Sequence, residues 1–377
     1  MYKRLELKNF KAFRELDLEL RPLTLLSGMN GMGKSSVLQS LLLLRQSYLQ
    51  RSEVVTNKGQ LNLILNGELV ELGTGQDIFF DRVDYRPDVL ELGFTLHEEN
   101  IGQYQWSYDY DAFSADVLTA KNPAATNSHT FYETSLFQDN FHYLQAERVG
   151  PRTAFGMSDH RVRQHRQLGR AGEFTAHFLD VWRSDPVDRR VRHPKTNADG
   201  LFNQVTAWMG EISPDTQIEI KPHTDMDVMS VRIGFPGTKS FRSTNVGFGI
   251  TYTLPVLVAL LSAQPGYLVL LENPEAHLHP RGQSMMGELI ARVASAGVQV
   301  IVETHSDHIM NGIRVAVRQN LVDPKRVAFH FFQRTRNGQD VDVETPEIDK
   351  EGRLDYWPKN FFDEWKTNLD RLLYGGE

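Results

Sequence analysis

Gly28-Met-Asn-Gly-Met-Gly-Lys34-Ser35 fits G-x-x-x-x-G-K-[S/T] at every fixed position, and nothing else in the chain constrains its fold so tightly. The apolar run Leu23-Thr-Leu-Leu26 leads into it, and Ser36-Val-Leu-Gln-Ser-Leu-Leu-Leu-Leu44 follows with helical character. Strand, glycine loop and helix in that order make a phosphate site. The glycines let backbone N–H groups curl around a triphosphate, and the helix N-terminus adds partial positive charge. Asn30, Gly31, Gly33, Lys34, Ser35 and Ser36 are the candidate ATP-binding residues. Lys34 is expected to reach the β- and γ-phosphates, and the Ser35 hydroxyl to ligate Mg2+. A glycine-rich turn matching by accident is the competing reading, and the agreement of both flanks weighs against it.

Composition narrows the class. A chain of 377 residues has room for one large α/β domain or two smaller ones. Zero cysteines exclude disulfides, thiolate zinc sites and a cysteine nucleophile, and fit a reducing, cytoplasmic setting. The N-terminus is charged at once, unlike a signal peptide. The longest apolar stretch, Ile250–Leu271, is interrupted by Pro255, Pro265 and Gly266 and ended by Glu272. It predicts a buried helix followed by a buried strand, not a membrane span. A net charge of −7 argues against a broadly basic nucleic-acid binder and leaves room for a local patch.

Residues 1–27 alternate apolar and polar, which predicts an antiparallel strand pair. Strand-like runs follow at Leu61–Leu65, Val89–Phe94 and Tyr104–Tyr108, then a polar, turn-rich stretch over 110–140 predicts a long loop. Amphipathic helices are expected at Glu173–Trp182 and Leu201–Ile212, and strands at Gln217–Ile220 and Met229–Ile233. Three continuous apolar runs, Tyr267–Leu271, Val298–Val302 and Val327–Phe332, read as strands of a parallel sheet covered by helices.

The first of these runs ends in Glu272 and is followed by Asn273-Pro-Glu275-Ala-His277-Leu-His279-Pro; the second ends in Glu303-Thr-His305-Ser-Asp-His308. A carboxylate closing an apolar strand is what a P-loop ATPase needs to hold Mg2+ beside the phosphates. With these residues the chain resembles an ABC/SMC-type ATPase head of the AAA family, in the short branch related to overcoming-lysogenisation-defect ATPases. Lys8-Asn-Phe-Lys-Ala-Phe13, Gly28–Ser35, Asn245-Val-Gly-Phe-Gly-Ile-Thr251, Glu272–Pro280 and Glu303–His308 carry the resemblance. Trp357–Glu364 resembles the tail domain of an uncharacterised subgroup of such ATPases.

The resemblance implies an α/β P-loop NTPase: an ABC-type head with a mixed sheet, an antiparallel N-terminal β-subdomain and a helical insertion. Asn245–Thr251 then stands at the signature motif, where Gly247 and Gly249 present N–H groups to ATP held by the opposite subunit. His305 stands at the switch histidine that contacts the γ-phosphate, and Glu275–His279 near the segment that crosses the dimer interface. Glu272 and Asn273 occupy places where such heads put aspartate then glutamate. Asparagine can orient a water but cannot take its proton. Glu272 does both jobs, or Glu275 or Glu303 supplies the base, and slow hydrolysis is as consistent as brisk turnover.

His277, His279, His305 and His308 have chelating spacings, but their places in a nucleotide site account for them better than a transition metal does. Over 160–195, nine cations (Arg161, Arg163, Arg166, Arg170, Arg183, Arg189, Arg190, Arg192 and Lys195) face four acids, a local excess suited to phosphates or to a solvated helical face. Arg148 and Arg152 lie just upstream and suit the same phosphate-tracking surface, but no aromatic interleaving marks a stacking platform. Phe361, Trp365, Leu369 and Leu372 recur at near-helical spacing and are expected to dock on the chain's own core.

The expectation is one ATPase head in four parts: an N-terminal lobe with the P-loop (1–110), an inserted region (111–214), a C-terminal lobe (215–345) and a tail helix (346–377). Its catalytic residues would be Lys34, Glu272, Asn273 and His305. Ser35 and Glu272 would hold Mg2+, and the head would close as an ATP-bridged homodimer that controls a separate effector protein. An ATP-gated scaffold with little hydrolysis and a DNA-binding repair-type ATPase are the alternatives.

Overall fold

The N-terminal alternation becomes a hairpin in which Tyr2–Phe10 pairs antiparallel with Phe13–Glu19, placing Leu5 beside Leu18 and Leu7 beside Leu16. Glu91–Glu98 and Gly102–Asp109 extend it to a four-stranded antiparallel sheet. This computed structural model describes the chain apart from residues 51–60, 81–90, 111–115, 122–127, 336–339, 360, 363 and 375–377. Val89 and Leu90 of the expected strand lie outside the described residues.

The three apolar runs form the centre of a six-stranded sheet. Its order is Val341–Glu344, Val327–Arg334, Leu23–Gly28, Gln299–Glu303, Leu268–Glu272 and Phe141–Leu144. All neighbours are parallel except the Val341–Glu344 edge. Both faces are covered, which is why the strands read as unbroken apolar runs. Leu268, Leu270 and Ile301 join the core shared with the N-terminal sheet and the helix Lys34–Leu49; Val269, Leu271, Val300 and Val302 join the core beneath the helices Leu201–Ile212, Phe248–Ser262, Pro280–Ser295 and Asp307–Arg318.

Pro255 sits inside the helix Phe248–Ser262, its ring against Gly172, where an added Cβ would lie 2.6 Å from the Pro255 Cβ. Of the stretch over 110–140, residues 111–115 and 122–127 lie outside the described residues, and the described parts hold more order than a plain loop. Val117–Leu118 pairs with Leu63–Ile64, and Phe131 and Phe137 enter an aromatic cluster with Tyr104, Trp106 and Tyr132. The strand Phe141–Leu144 was not expected, because four residues are too few to show a periodicity. Gln217–His223 and Val228–Gly234 pair within a separate four-stranded antiparallel sheet. In the tail, Phe361 is buried against Phe331, whereas Leu372, Leu373 and Tyr374 are exposed. The Trp365 side chain lies outside the described residues.

Candidate functional site

The glycine loop leaves the central strand and re-enters the fold as the helix Lys34–Leu49, with Gly28, Gly31 and Gly33 all at positive φ. A Cβ on Gly28 would lie 2.2 Å from the Phe332 carbonyl oxygen, and one on Gly33 would lie 2.6 Å from the Phe13 ring. Those two glycines seat the loop on the fold. Gly31 faces open space and leaves the concave side free. The buried Lys34 donates from Nζ to the Gly28 and Met29 carbonyls, each at 2.8 Å. Burial lowers its pKa, and the nearby Glu303 opposes that shift.

Opposite the loop, Glu272 and Glu303 end adjacent parallel strands in the same row. With Asn273 and His305 they line a cleft of about 640 Å³ that also contains Asn30, Gly31, Gly33, Lys34, Ser35 and Ser36. This is the C-terminal edge of the parallel strands, where open α/β sheets bind ligands. Residues thirty to almost three hundred positions apart in sequence meet there.

The sequence pointed to Glu272 as the carboxylate that serves the metal with Ser35. The carboxylate that Ser35 Oγ donates to is Glu303, at 2.9 Å. Glu272 instead accepts from the Tyr143 hydroxyl at 2.9 Å and the Ala146 N–H at 3.1 Å. Burial pushes the Glu303 carboxyl up to about 7, opposed by the Ser35 hydrogen bond and reinforced by Glu272. Its Oε2 is buried and has no hydrogen-bond partner. Glu275 accepts from the His305 N–H at 2.8 Å. Partial burial, then the Lys34 charge, lower the pKa of His305, so its ring enters neutral solution uncharged.

Asn273 adopts φ 45° and donates its N–H to the Glu303 carbonyl at 2.8 Å. Asparagine tolerates this left-handed conformation better than most residues, a local reason for its presence where a glutamate was expected. From sequence Arg148 suits, with Arg152, an exposed phosphate-tracking surface; in the structure it is turned inward instead. Its buried guanidinium donates to the carbonyls of Glu272 and Asn273, each at 2.7 Å, and to those of Gln145 and Tyr252, each at 3.1 Å. It ties the end of the Glu272 strand to the helix that begins after Gly247. Lys11, whose Nζ donates to Gln39 at 2.8 Å, and Asp77 also line the cleft. Lys11 stood in a quoted motif, but nothing in that motif gave its direction.

Gly247 and Gly249 lie apart from this cleft. Gly247 caps the helix Phe248–Ser262 and is exposed, with no atom within 4 Å of an added Cβ. Gly249 packs within the chain, since a Cβ there would lie 2.6 Å from the His277 carbonyl oxygen. His279 caps its own helix by accepting from the Arg281 N–H, and the His277 ring packs on Tyr252. Among the described residues, no three histidine or acidic side chains gather to hold a metal ion. The cations of 160–195 are largely paired. Arg161 meets Glu68, Arg163 meets Asp159, Arg170 meets Glu71, Arg192 meets Asp199, and Lys195 meets Glu211. These five acids lie outside that window and offset the excess counted along the sequence.

The residues present fit a Mg-nucleotide. Ser35, Glu303 and Glu272 offer only oxygen, the donor type Mg2+ prefers, one Glu303 oxygen is an orphan, and the open side of Gly31 leaves a cradle that a Cβ would begin to fill.

A sequence family described as "AAA domain, putative AbiEii toxin, Type IV TA system" matches residues 23–311. The chain belongs to this AAA-domain family. A second family, described as a protein of unknown function, matches residues 322–372. No curated protein matches the chain. Among solved structures, the AAA-domain chain is similar to an SMC head bound to the C-winged helix domain of ScpA. The identity is 14% and the TM-score 0.55, over 93% of this chain and 98% of that one. It is also similar to the SMC head with an extended coiled coil from Pyrococcus furiosus, bound to the C-terminal domain of ScpA, at 13% identity and a TM-score of 0.53, over 98% and 99%. The fold is that of an ABC/SMC-type ATPase head. No helix among the described residues is long and apolar enough to cross a membrane.

Proposed function

We propose that this AAA-domain chain binds Mg·ATP, hydrolyses it, and works as a dimeric switch on a separate effector protein, in antiviral defence or DNA maintenance. The observation that carries the reading is the single cleft in which the glycine loop, Lys34 and Ser35 face Glu272, Asn273, Glu303 and His305. When bound, Mg2+ would neutralise charge on the phosphates. The loop N–H groups and Lys34 would bind the triphosphate, Ser35 would hold the metal, and Glu272 would orient the attacking water and accept its proton. The neutral His305 would donate a hydrogen bond to the γ-phosphate. A partner protein accords with the SMC heads, whose structures hold a ScpA domain.

Lys34→Ala tests the binding step. It removes a charge-assisted phosphate contact worth roughly 1.5–3 kcal/mol, so ATP affinity should fall about 10- to 150-fold by titration calorimetry. Parent-like affinity in a folded variant would overturn the assignment.

A second reading, an ATP-gated scaffold with little hydrolysis, is favoured by Asn273, which supplies no proton acceptor where such heads place glutamate. Phosphate release by the purified parent separates the two. DNA binding gains no support from the arginine band, given its carboxylate partners.

Assembly is tested at Gly247. This exposed residue has ordinary φ and open space, so Gly247→Arg should fold and bind ATP like the parent. In an ATP-bridged homodimer it would obstruct the partner's nucleotide, and the ATP-dependent dimer should disappear from sedimentation profiles. Gly249→Arg is the poorer test, because the His277 carbonyl already occupies that space. Persistence of the ATP-dependent dimer in Gly247→Arg would remove the case for a composite site.

A further inference from the structure

The glycine-loop serine is hydrogen-bonded to the carboxylate of the neighbouring strand and not to the one that ends the expected metal-binding strand. Gln299–Glu303 lies directly beside the P-loop strand, with Glu303 in register with Leu26, whereas Leu268–Glu272 lies one strand further out. From the nearer strand a glutamate side chain reaches Ser35 Oγ at 2.9 Å. Both oxygens of the farther Glu272 are engaged, by the Tyr143 hydroxyl and the Ala146 N–H. Glu303 is 6% exposed and lines the nucleotide cleft, and its second oxygen is buried without a hydrogen-bond partner. A buried carboxylate oxygen with no donor is costly unless a proton or a cation meets it.

We infer that Glu303 is the metal-side carboxylate of this site, orienting Ser35 through its hydroxyl proton and presenting its free oxygen toward the Mg2+ of the bound nucleotide. Glu272 is thereby left to the attacking water, so the two tasks fall to two strands. The inference rests on the Mg·ATP reading above and divides the labour within it.

The test is equilibrium binding of a fluorescent ADP, with EDTA and across a Mg2+ titration, for the parent, Glu303→Gln, Glu303→Asp and Glu272→Gln. Thermal melts verify that each variant is folded. Parent affinity should rise with Mg2+. Glu303→Gln should keep the EDTA affinity and lose about tenfold of the Mg2+-dependent gain, whereas Glu272→Gln should retain most of it. Glu303→Asp, which keeps the charge on a shorter arm, should recover part of the gain. A Mg2+ gain in Glu303→Gln equal to the parent's would overturn the inference while leaving nucleotide binding intact. If Glu303→Gln does not fold, Glu303→Asp decides, and a parent-like Mg2+ titration midpoint in that variant would count against the assignment. A folded parent that binds no ADP with or without Mg2+ would overturn both readings together.

Discussion

Glu272→Gln should lower ATP turnover by at least about 100-fold, the range in which general-base catalysis operates, while nucleotide affinity stays close to the parent's. The isostere fits the site. A glutamine can accept from the Ala146 N–H and donate to the Tyr143 hydroxyl oxygen, keeping both contacts that hold Glu272 in place. What disappears is the negative charge and the capacity to take a proton. Phosphate release and nucleotide binding, measured on the same preparation, separate the chemical defect from a binding defect. Turnover at the parent rate would show that the water is activated elsewhere, with Glu275 and Glu303 the next candidates. Because Asn273 offers no base of its own, the loss should not be buffered by its neighbour.

Arg148→Ala should have the largest effect on stability, about 3 kcal/mol, because it removes a buried guanidinium and leaves part-buried carbonyls on three segments without their donor. Those carbonyls belong to Gln145, to the end of the strand carrying Glu272 and Asn273, and to Tyr252 of the long helix. Arg148→Lys should recover little, since one ammonium cannot span the positions that the planar guanidinium reaches. Differential scanning calorimetry of the two variants checks this. An unchanged melting temperature in Arg148→Ala would mean that the network adds nothing to the folded state. The same contacts join the Glu272 strand to the helix that starts after Gly247, so a folded Arg148→Lys should also show altered turnover.

Local sequence carried the parts of this protein whose physics is local. The P-loop was legible because a tight phosphate-binding turn requires glycines at fixed spacing, and Gly28 and Gly33 prove to sit where any Cβ would collide with Phe332 or Phe13. The central strands were legible because burial on both faces leaves unbroken apolar runs, and the N-terminal hairpin because one buried face leaves alternation. The helix Leu201–Ile212 matches its expected bounds for the same reason. What sequence could not supply is which groups meet across the sheet. Glu303 and Glu272 both end apolar strands and look equivalent along the chain; only the strand order, which sets Gln299–Glu303 beside the P-loop strand, decides which one reaches Ser35. Tyr143 and Lys11 gave no pattern, and Arg148 read only as one more cation beside the arginine band, since a single side chain's direction has no periodicity to betray it. The excess of arginines was visible in sequence but its neutralisation was not, because Glu68, Glu71 and Glu211 approach from distant segments. Spacing therefore determined the phosphate loop and the strands, and three-dimensional packing alone decided the division of charge around them, because electrostatic partners are chosen by distance in space and not by separation along the chain.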